Sequence, residues 1–408
     1  FLLKETIFII PKLKKENQKI LKKLEILDKK VQVLSTENEK MLGLKLYNDP
    51  FNPKLDTKNL TLAKFFLTGK PHNFAGYQQS YFYKGRYIEK FKKNLIILDS
   101  FKFYTTSIDE NIFDIEKINL KKITSNIETF TNIVGIRDIK IIKDELFLFG
   151  IVKNPDISDC YNIVILNSKL NFDKSNNNFN KIIFDNFLKF NICEENIMQS
   201  GGRIDEFKEN HIIVSFGDFG TPSWDGKEED FFSDNSYFGK IISINLKTKE
   251  KNILSKGHRN PQGLIYIKEK NIIINTEHGP KGGDEININF LDKIYNFGWP
   301  IASYGIRYNG EDPFQKDHKN FDEPIKYYNP SIAPSQIISK NNNDSFYFAT
   351  LKDTSLHEMK FSKDFSKILS EKSIFIGERI RDIIYVNKGI YGLTLDNSPA
   401  IAFVKFHK

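Results

Sequence analysis

The stretch DIKIIKDELFLFGIV, residues 138–152, decides the fold class. Isoleucine, valine and phenylalanine dominate it, and such side chains suit a pleated surface. Nine other runs share its texture: NLIILDSFKFYTT (94–106), YNIVILN (161–167), HIIVSFGD (211–218), KIISINL (240–246), GLIYI (263–267), NIIINTEHG (271–279), SFYFATL (345–351), GIYGLTL (389–395) and AIAFVKF (400–406). Asn-, Asp-, Lys- and Gly-rich turns separate them, and no long helical pattern intervenes after about residue 60. The chain therefore reads as all-β with many antiparallel strands. Roughly 350 residues of short strands exceed one ordinary sandwich. A β-propeller is the economical arrangement, because radial repetition keeps sheet edges short. At about 40–60 residues per blade, six to eight blades fit.

The N-terminal segment has a different texture. From Lys12 to about Lys40, Leu13, Ile20, Leu24, Leu27, Val31 and Leu34 fall at alternating three- and four-residue steps, apart from a gap at Asn17. This predicts a lysine-rich helix over 11–45, either a short coiled coil or stalk through which chains oligomerise, or one amphipathic helix lying on the main domain. The first ten residues, FLLKETIFII, read as the tail of a signal anchor or as an apolar terminus packed on the domain. Asn48-Asp49-Pro50 and Asn52-Pro53 break the helix, and the propeller is expected over 46–408.

Charge excludes one class of partner. The 408 residues carry a net charge of +8, but residues 1–50 supply half of it, with eleven Lys against seven Asp and Glu. The remaining excess is too thin to line a nucleic-acid groove. Arginine is scarce: seven residues (86, 137, 203, 259, 307, 379, 381) stand among 60 basic ones, which leaves 53 lysines. In a chain that drifts so far toward lysine, an arginine marks a site that needs a planar fork. The two cysteines, Cys160 and Cys193, form no CxxC, so a thiolate zinc site is not expected. They read as two buried thiols or, in an exported chain, as one disulfide that pins an excursion over 161–192.

Three segments stand apart from the lysine-and-asparagine background: GHRNPQGL (257–264), EHGPKGGDEIN (277–287) with GWP (298–300) and SYG (303–305), and GERIRDI (377–383). Gly279, Pro280, Gly282 and Gly283 make a loop whose backbone can approach a ligand closely. Asp284 and Glu285 add hard oxygens of the kind calcium prefers. Arg259, Arg379 and Arg381 offer forks for carboxylates of a polyanion, and Arg379 and Arg381 sit two apart, as on one strand face.

With these segments in this order, followed by SIAPS (331–335) and RIRD (379–382), the sequence resembles the soluble sugar dehydrogenases that depend on pyrroloquinoline quinone (PQQ). This is the glucose/sorbosone (aldose sugar) dehydrogenase family of six-bladed β-propellers. The resemblance is specific from about Ile197 onward. Before that it rests on VGIRDIKI (134–141) alone. It implies that Arg259, Asn260 and Gln262 contact the quinone. Lys352, Arg379 and Arg381 would pair with its carboxylates. Carbonyls of Gly279 and Pro280 would hold calcium, with Asp284 beside them, and Glu285 would belong to a structural calcium site nearby. The implied reaction oxidises an aldose, or a related alcohol, at C1. It also implies export, so a periplasmic protein, anchored to the inner membrane through its N-terminus, is expected.

One departure stands out. The family's base is a His in H-x-G-[G/S]-x-[L/I], and here that segment is Gln199-Ser200-Gly201-Gly202-Arg203-Ile204. An amide has no titratable proton near neutral pH and cannot act as a general base. Asp218, His211, His258 and His278 are the nearby alternatives, and of these Asp218 is taken as the candidate. Without a substitute, the protein is a catalytically inactive propeller serving as a membrane-anchored binding or structural module. Gln336 sits where many relatives carry Gly, and reads either as narrowing the pocket or as a surface residue.

Overall fold

The computed structural model describes residues 54–56, 60–67, 85–108, 112–114, 118–130, 132–173, 178–179, 181–195, 197–220, 233–308, 318–340, 344–396, 398 and 400–407. The expected anchor remnant and lysine-rich helix lie outside the described residues. Within them the chain is all-β, with a single helical turn, the 3-10 segment Ile127–Thr129. None of their helices is long and apolar enough to cross a membrane.

Six sheets, antiparallel apart from short parallel additions at the outer edge of the first and third, form the blades of a propeller. Their first strands are Arg86–Phe91, Ile133–Ile142, Gly201–Glu206, Pro261–Ile267, Pro334–Ser339 and Ile380–Asn387. Each touches the next, and the sixth touches the first, so they form a closed inner ring. The last blade borrows its outer strand from the chain's beginning: Leu60–Phe66 runs antiparallel to Ala400–Phe406, with Leu60 opposite Phe406 and Phe66 opposite Ala400. Lys64 on that strand reaches Glu378, buried beside the sixth inner strand. The ring is thus closed by hydrogen bonds between residues more than 300 positions apart.

The packing explains why the repeats are hard to see in the sequence. Six apolar clusters fill the six gaps between blades. Along Asn94–Asp99, Leu95 and Ile97 join the cluster against the sixth blade, while Ile96 and Leu98 join the one against the second. A strand covered on both faces has no polar side to alternate with, so it reads as a continuous hydrophobic run.

The segment 161–192 is not an excursion. It holds the two outer strands of the second blade, Tyr161–Lys169 and Asp185–Glu194, and a small hairpin between them. The piece Lys181–Ile182 also pairs with the outer strand of the first blade. Cys160 and Cys193 are bonded, at the start of one strand and near the end of the other.

The inner ring is held by polar groups of a regular kind. Inner-strand N–H groups facing the channel need acceptors, and neighbouring blades provide them. Asp138 accepts from Ile204 N–H (2.9 Å), Asp205 from Tyr266 N–H (2.9 Å), and Asp382 from Ile88 N–H (3.0 Å). The Gln336 amide oxygen accepts from Leu264 N–H (3.1 Å), so this residue is a buried pin between blades rather than a pocket wall or a surface group. Arg203 is the hub. Its Nη1 donates to Asp138 (3.0 Å) and Asp382 (3.1 Å), its Nε to the Gln262 carbonyl (2.7 Å), and its Nη2 to the Arg381 carbonyl (2.7 Å). One side chain from the third blade thereby fixes the second, fourth and sixth.

Two stability results follow from this arrangement. Reducing the disulfide frees a loop with a sequence separation of 33 residues, and should cost about 3–4 kcal/mol in denaturant unfolding. An unchanged midpoint would contradict that. Replacing Arg203 by Leu strands two buried carboxylates and should cost about 3–5 kcal/mol. A loss within experimental error of zero would remove Arg203 from its position as hub.

Candidate functional site

The inner strands begin at one end of the ring, and their entry loops surround a cleft of about 400 Å³. Gln199 precedes the third inner strand. Arg259, Asn260 and Gln262 open the fourth, and Arg379 and Arg381 open the sixth. Gly279, Pro280 and Asp284 come from the turn between the second and third strands of the fourth blade, and Lys352 from the corresponding turn of the fifth. Of the twelve residues expected to serve the quinone, the calcium or the base, ten therefore line one cleft. Asp218 and Glu285 do not.

The basic wall is built in layers. Arg259 is buried, and its Nη1 donates to the carbonyls of His278 (3.0 Å) and Gly279 (2.7 Å). Its guanidinium lies 5.4 Å from the Trp299 ring of the GWP segment. Its buried Nε has no hydrogen-bond partner among the described residues. Arg381 donates from Nε (3.1 Å) and Nη2 (2.6 Å) to Asp396, and from Nη1 to the Gln262 amide oxygen (3.0 Å). The Gln262 amide in turn donates to Asn260 Oδ1 (3.0 Å). Arg379 makes no ion pair among the described residues and donates to the Leu351 carbonyl (3.3 Å). Burial and the neighbouring Arg381 pull its pKa down, which marks a cation whose charge is poorly compensated. Lys352 is exposed at the rim.

The glycine loop is held by its own carboxylate. Asp284 Oδ1 accepts from Gly279 N–H (3.0 Å), and Oδ2 from Ile332 (2.7 Å) and Ala333 (2.6 Å) N–H. Asp284 thus ties the glycine loop to the SIAPS segment. Gly283 has φ +69°, and a side chain there would strike Gly305 of SYG, so the two loops meet backbone to backbone. Glu285 lies behind the loop, opposite Glu277 in the strand register. Burial, then the charge of Glu277, raises its pKa well above the usual carboxylate range. Among the described residues no group of three or more His, Cys, Asp or Glu side chains is arranged for a metal.

The base side is sparse. Gln199 is in the cleft wall, and its carbonyl accepts from Phe219 N–H (3.0 Å). Asp218 is buried behind Arg259, accepting from Gly220 N–H (2.9 Å), and burial pushes it up to about 7. Its own N–H donates to the Arg259 carbonyl (2.8 Å), so it supports the basic wall from behind. His211 and His258 do not line the cleft. His258 is fully buried between Glu277 (3.0 Å) and Ser255 (2.8 Å). His278 does line it, with Nε2 donating to the Pro334 carbonyl (2.9 Å). Burial, then the charges of Arg381 and Arg259, lowers it to about 3, which makes it a weak proton acceptor.

Several cleft residues were not singled out in the sequence. Arg137 enters from the second inner strand, Tyr87 from the first, and Met198 and Tyr308 stand exposed at the mouth. The rarity of arginine is a signal that could have found Arg137. Nothing in the sequence around Tyr87, Met198 or Tyr308 marks them out.

A family model described as Glucose / Sorbosone dehydrogenase matches residues 152–402. Among curated proteins, the chain is similar to an uncharacterized protein, slr1608, of Synechocystis sp. (30% identical over 225 residues, 48% of this chain and 54% of that protein). It is also similar to the aldose sugar dehydrogenase YliI of Escherichia coli (35% identical over 158 residues, 36% of this chain and 42% of that protein). The matched stretches span about half the length of these curated relatives. Among solved structures, a glucose dehydrogenase superposes with a TM-score of 0.63 at 18% identity, over 80% of this chain and 99% of that one. The holo form of the pyranose dehydrogenase PQQ domain from Coprinopsis cinerea gives 0.60 at 10% identity, over 88% and 98%. At such identities the likeness is one of fold.

The buried ionisable groups beside the cleft set a pH dependence. Burial raises Asp218 to about 7 and Glu277 to about 8. A carboxyl raised in this way contributes stability that is complete below the ordinary carboxylate range and lost as pH rises through its folded value. His258 and His278, lowered to about 3, contribute the reverse: full above the ordinary imidazole range and lost as pH falls toward 3. The melting temperature should therefore fall between about pH 6 and about pH 9, and Glu277→Gln, which cannot ionise, should fall less. A variant profile parallel to the parent's would contradict the assignment.

Proposed function

The chain belongs to the glucose/sorbosone dehydrogenase family, and on that premise we propose that its cleft binds PQQ with calcium and serves the oxidation of an aldose or related alcohol at C1. One observation carries the reading. Arg259, Arg379, Arg381 and Lys352 reach one cleft from three blades. A flat cofactor bearing several carboxylates fits that donor set. Arg259, Asn260 and Gln262 would hold its body, and Arg379, Arg381 and Lys352 its carboxylates. The carbonyls of Gly279 and Pro280 would face calcium, with Asp284 fixing their loop.

When bound, the quinone and calcium supply a hydride acceptor polarised by a Lewis acid. The residues of the chain do the rest. Arg203 grips the backbone of Gln262 and Arg381 from below, so the side chains that orient the cofactor stand on a rigid floor. Trp299 and the glycine loop back Arg259 and exclude water from it. The proton of the C1 hydroxyl needs an acceptor, and the sequence position of the family's base holds Gln199.

That residue favours a second reading, in which the cleft binds its ligand without turnover. His278 is too weakly basic to replace a histidine poised near neutrality, and Asp218 lies behind Arg259 rather than in the wall. The Cys160–Cys193 bond supports placing the protein in an oxidising compartment such as the periplasm.

Titration of the purified apo-protein with PQQ and calcium, followed by dye reduction with a panel of aldoses, tests both readings. Saturable quinone binding is expected, with turnover raised by about 10²–10⁴ in Gln199→His. Absence of quinone binding would sink the proposal. A Gln199→His protein that binds quinone yet stays inert would show that the missing histidine is not what limits the reaction.

A further inference from the structure

The turn 351–354 of the fifth blade does more than present Lys352. It is tied to three other parts of the cleft wall. The N–H groups of Lys352 (3.0 Å) and Asp353 (3.1 Å) donate to the Ile332 carbonyl, and that of Leu351 to the Ala333 carbonyl (2.8 Å). The turn thus rests on the SIAPS segment, which Asp284 also holds. The Thr354 carbonyl accepts from the N–H groups of Ile376 (3.1 Å) and Gly377 (3.0 Å), where the GERIRDI segment begins. The Leu351 carbonyl accepts from Arg379 Nη1 (3.3 Å). Lys352 and Arg379, two of the groups assigned to the quinone carboxylates, therefore depend on where this turn sits.

Next to the turn stands a histidine that the cleft chemistry does not use. His357 lies on the third strand of the blade, Ser355–Phe361, buried and stacked on Phe348. Its Nε2 is 2.9 Å from Asp353 Oδ2, in the turn, and its Nδ1 is 3.0 Å from Glu371 Oε1, on the fourth strand. An ionised carboxylate only accepts, so filling both bonds takes an N–H on each ring nitrogen, which is the imidazolium. The groups around the pair favour that state. Tyr328 donates its hydroxyl to Glu371 (2.8 Å) and Lys326 stands 3.4 Å from it, both from the outer strand of the fourth blade, so Glu371 is kept ionised. Ser373 adds a bond to Asp353 (3.4 Å). Glu358, the next residue along, belongs to the opposite strand face and pairs with Lys340. Burial opposes a charge on the ring, but the bonds to Asp353 and Glu371 outweigh it and raise the imidazole pKa.

We propose that His357 is a positioning residue of the cleft: as an imidazolium it clamps Asp353 to Glu371 and so fixes the turn that places Lys352 and Arg379. When the ring loses its proton, one of the two bonds is lost and the turn loosens. The clamp itself needs no ligand; its effect on quinone affinity rests on the function proposed above. Because the pKa is raised, the clamp is complete below the ordinary imidazole value of about 6.5 and is lost as pH rises through the higher value of His357.

Hydrogen exchange of the full chain, read by mass spectrometry across a pH series, tests this at two places. Exchange at the imidazole C2 position gives the titration of His357, expected above about 6.5. The peptide carrying the Lys352 and Asp353 amides, corrected for the intrinsic pH dependence of exchange, should lose about tenfold in protection through the same pH window. Affinity for PQQ with calcium should fall by about tenfold there as well. In His357→Gln, which carries no charge, protection and affinity should both be lower and lack this step. Asp218 and Glu277 titrate nearby but are common to both proteins, so the difference belongs to His357. Should His357→Gln not fold, Asp353→Asn decides: with one anion gone, the titration of His357 and the loss of protection should move together to lower pH. A His357 titration at or below about 6.5, a protection profile that ignores it, or a variant profile parallel to the parent's, would overturn the inference. So would quinone binding that does not follow His357, because the clamp would then position nothing. A parent that binds no quinone while its protection follows His357 sinks the cofactor reading alone and leaves the clamp standing.

Discussion

Everything at the cleft depends on one buried guanidinium. Arg203 spends its donors on Asp138, Asp382 and the carbonyls of Gln262 and Arg381. A propeller's inner strands are held to one another by few backbone bonds, because each strand's ladder lies within its own blade. Side chains must therefore set the angle between blades. Arg203 does so for the second, fourth and sixth, and its two carboxylate partners pass the restraint on to the N–H groups of Ile204 and Ile88. The same residues then turn upward. Gln262 and Arg381, gripped by their backbones below, meet through their side chains above, 3.0 Å apart, in the cleft wall. The scaffold and the binding surface are thus two sides of one set of residues.

Much of the fold was legible in short runs such as NLIILD and GIYGLTL, because burial on both faces demands apolar residues at every position. The same double burial hid the repeat, since no alternation survives to be counted. Two features were misread or missed for a related reason. The closing strand Leu60–Phe66 carries Lys64 at its centre, and this buried lysine pairs with a glutamate 314 residues away. The segment after Cys160 looked like a polar excursion because its outer strand, DNFLKFNICE, is half exposed and broken by register shifts.

The site divides along similar lines. The cation side could be read from the sequence, because seven arginines among 53 lysines are conspicuous and four of them line the cleft. Asp284 could not be placed in advance. Its oxygens accept from the backbone N–H groups of Gly279, Ile332 and Ala333, contacts that no spacing in the sequence announces. Asp218 was a reasonable base by chain position, yet the turn after Phe216 directs it behind Arg259. Arg137 needed the fold before its bonds to Ser200 and Ile197 could appear. Side-chain identity announced the cationic side chains, whereas geometry revealed how they are held.

The central claim is that these forks converge on a single polyanionic ring system above the Arg203 floor. A crystal structure of the protein soaked with PQQ and calcium tests it most directly. The account predicts one quinone in the cleft, beside Arg259 and with its carboxylates at Arg379, Arg381 and Lys352. A quinone bound elsewhere, or a cleft that stays empty at saturating quinone while the Arg203 contacts are intact, would contradict it.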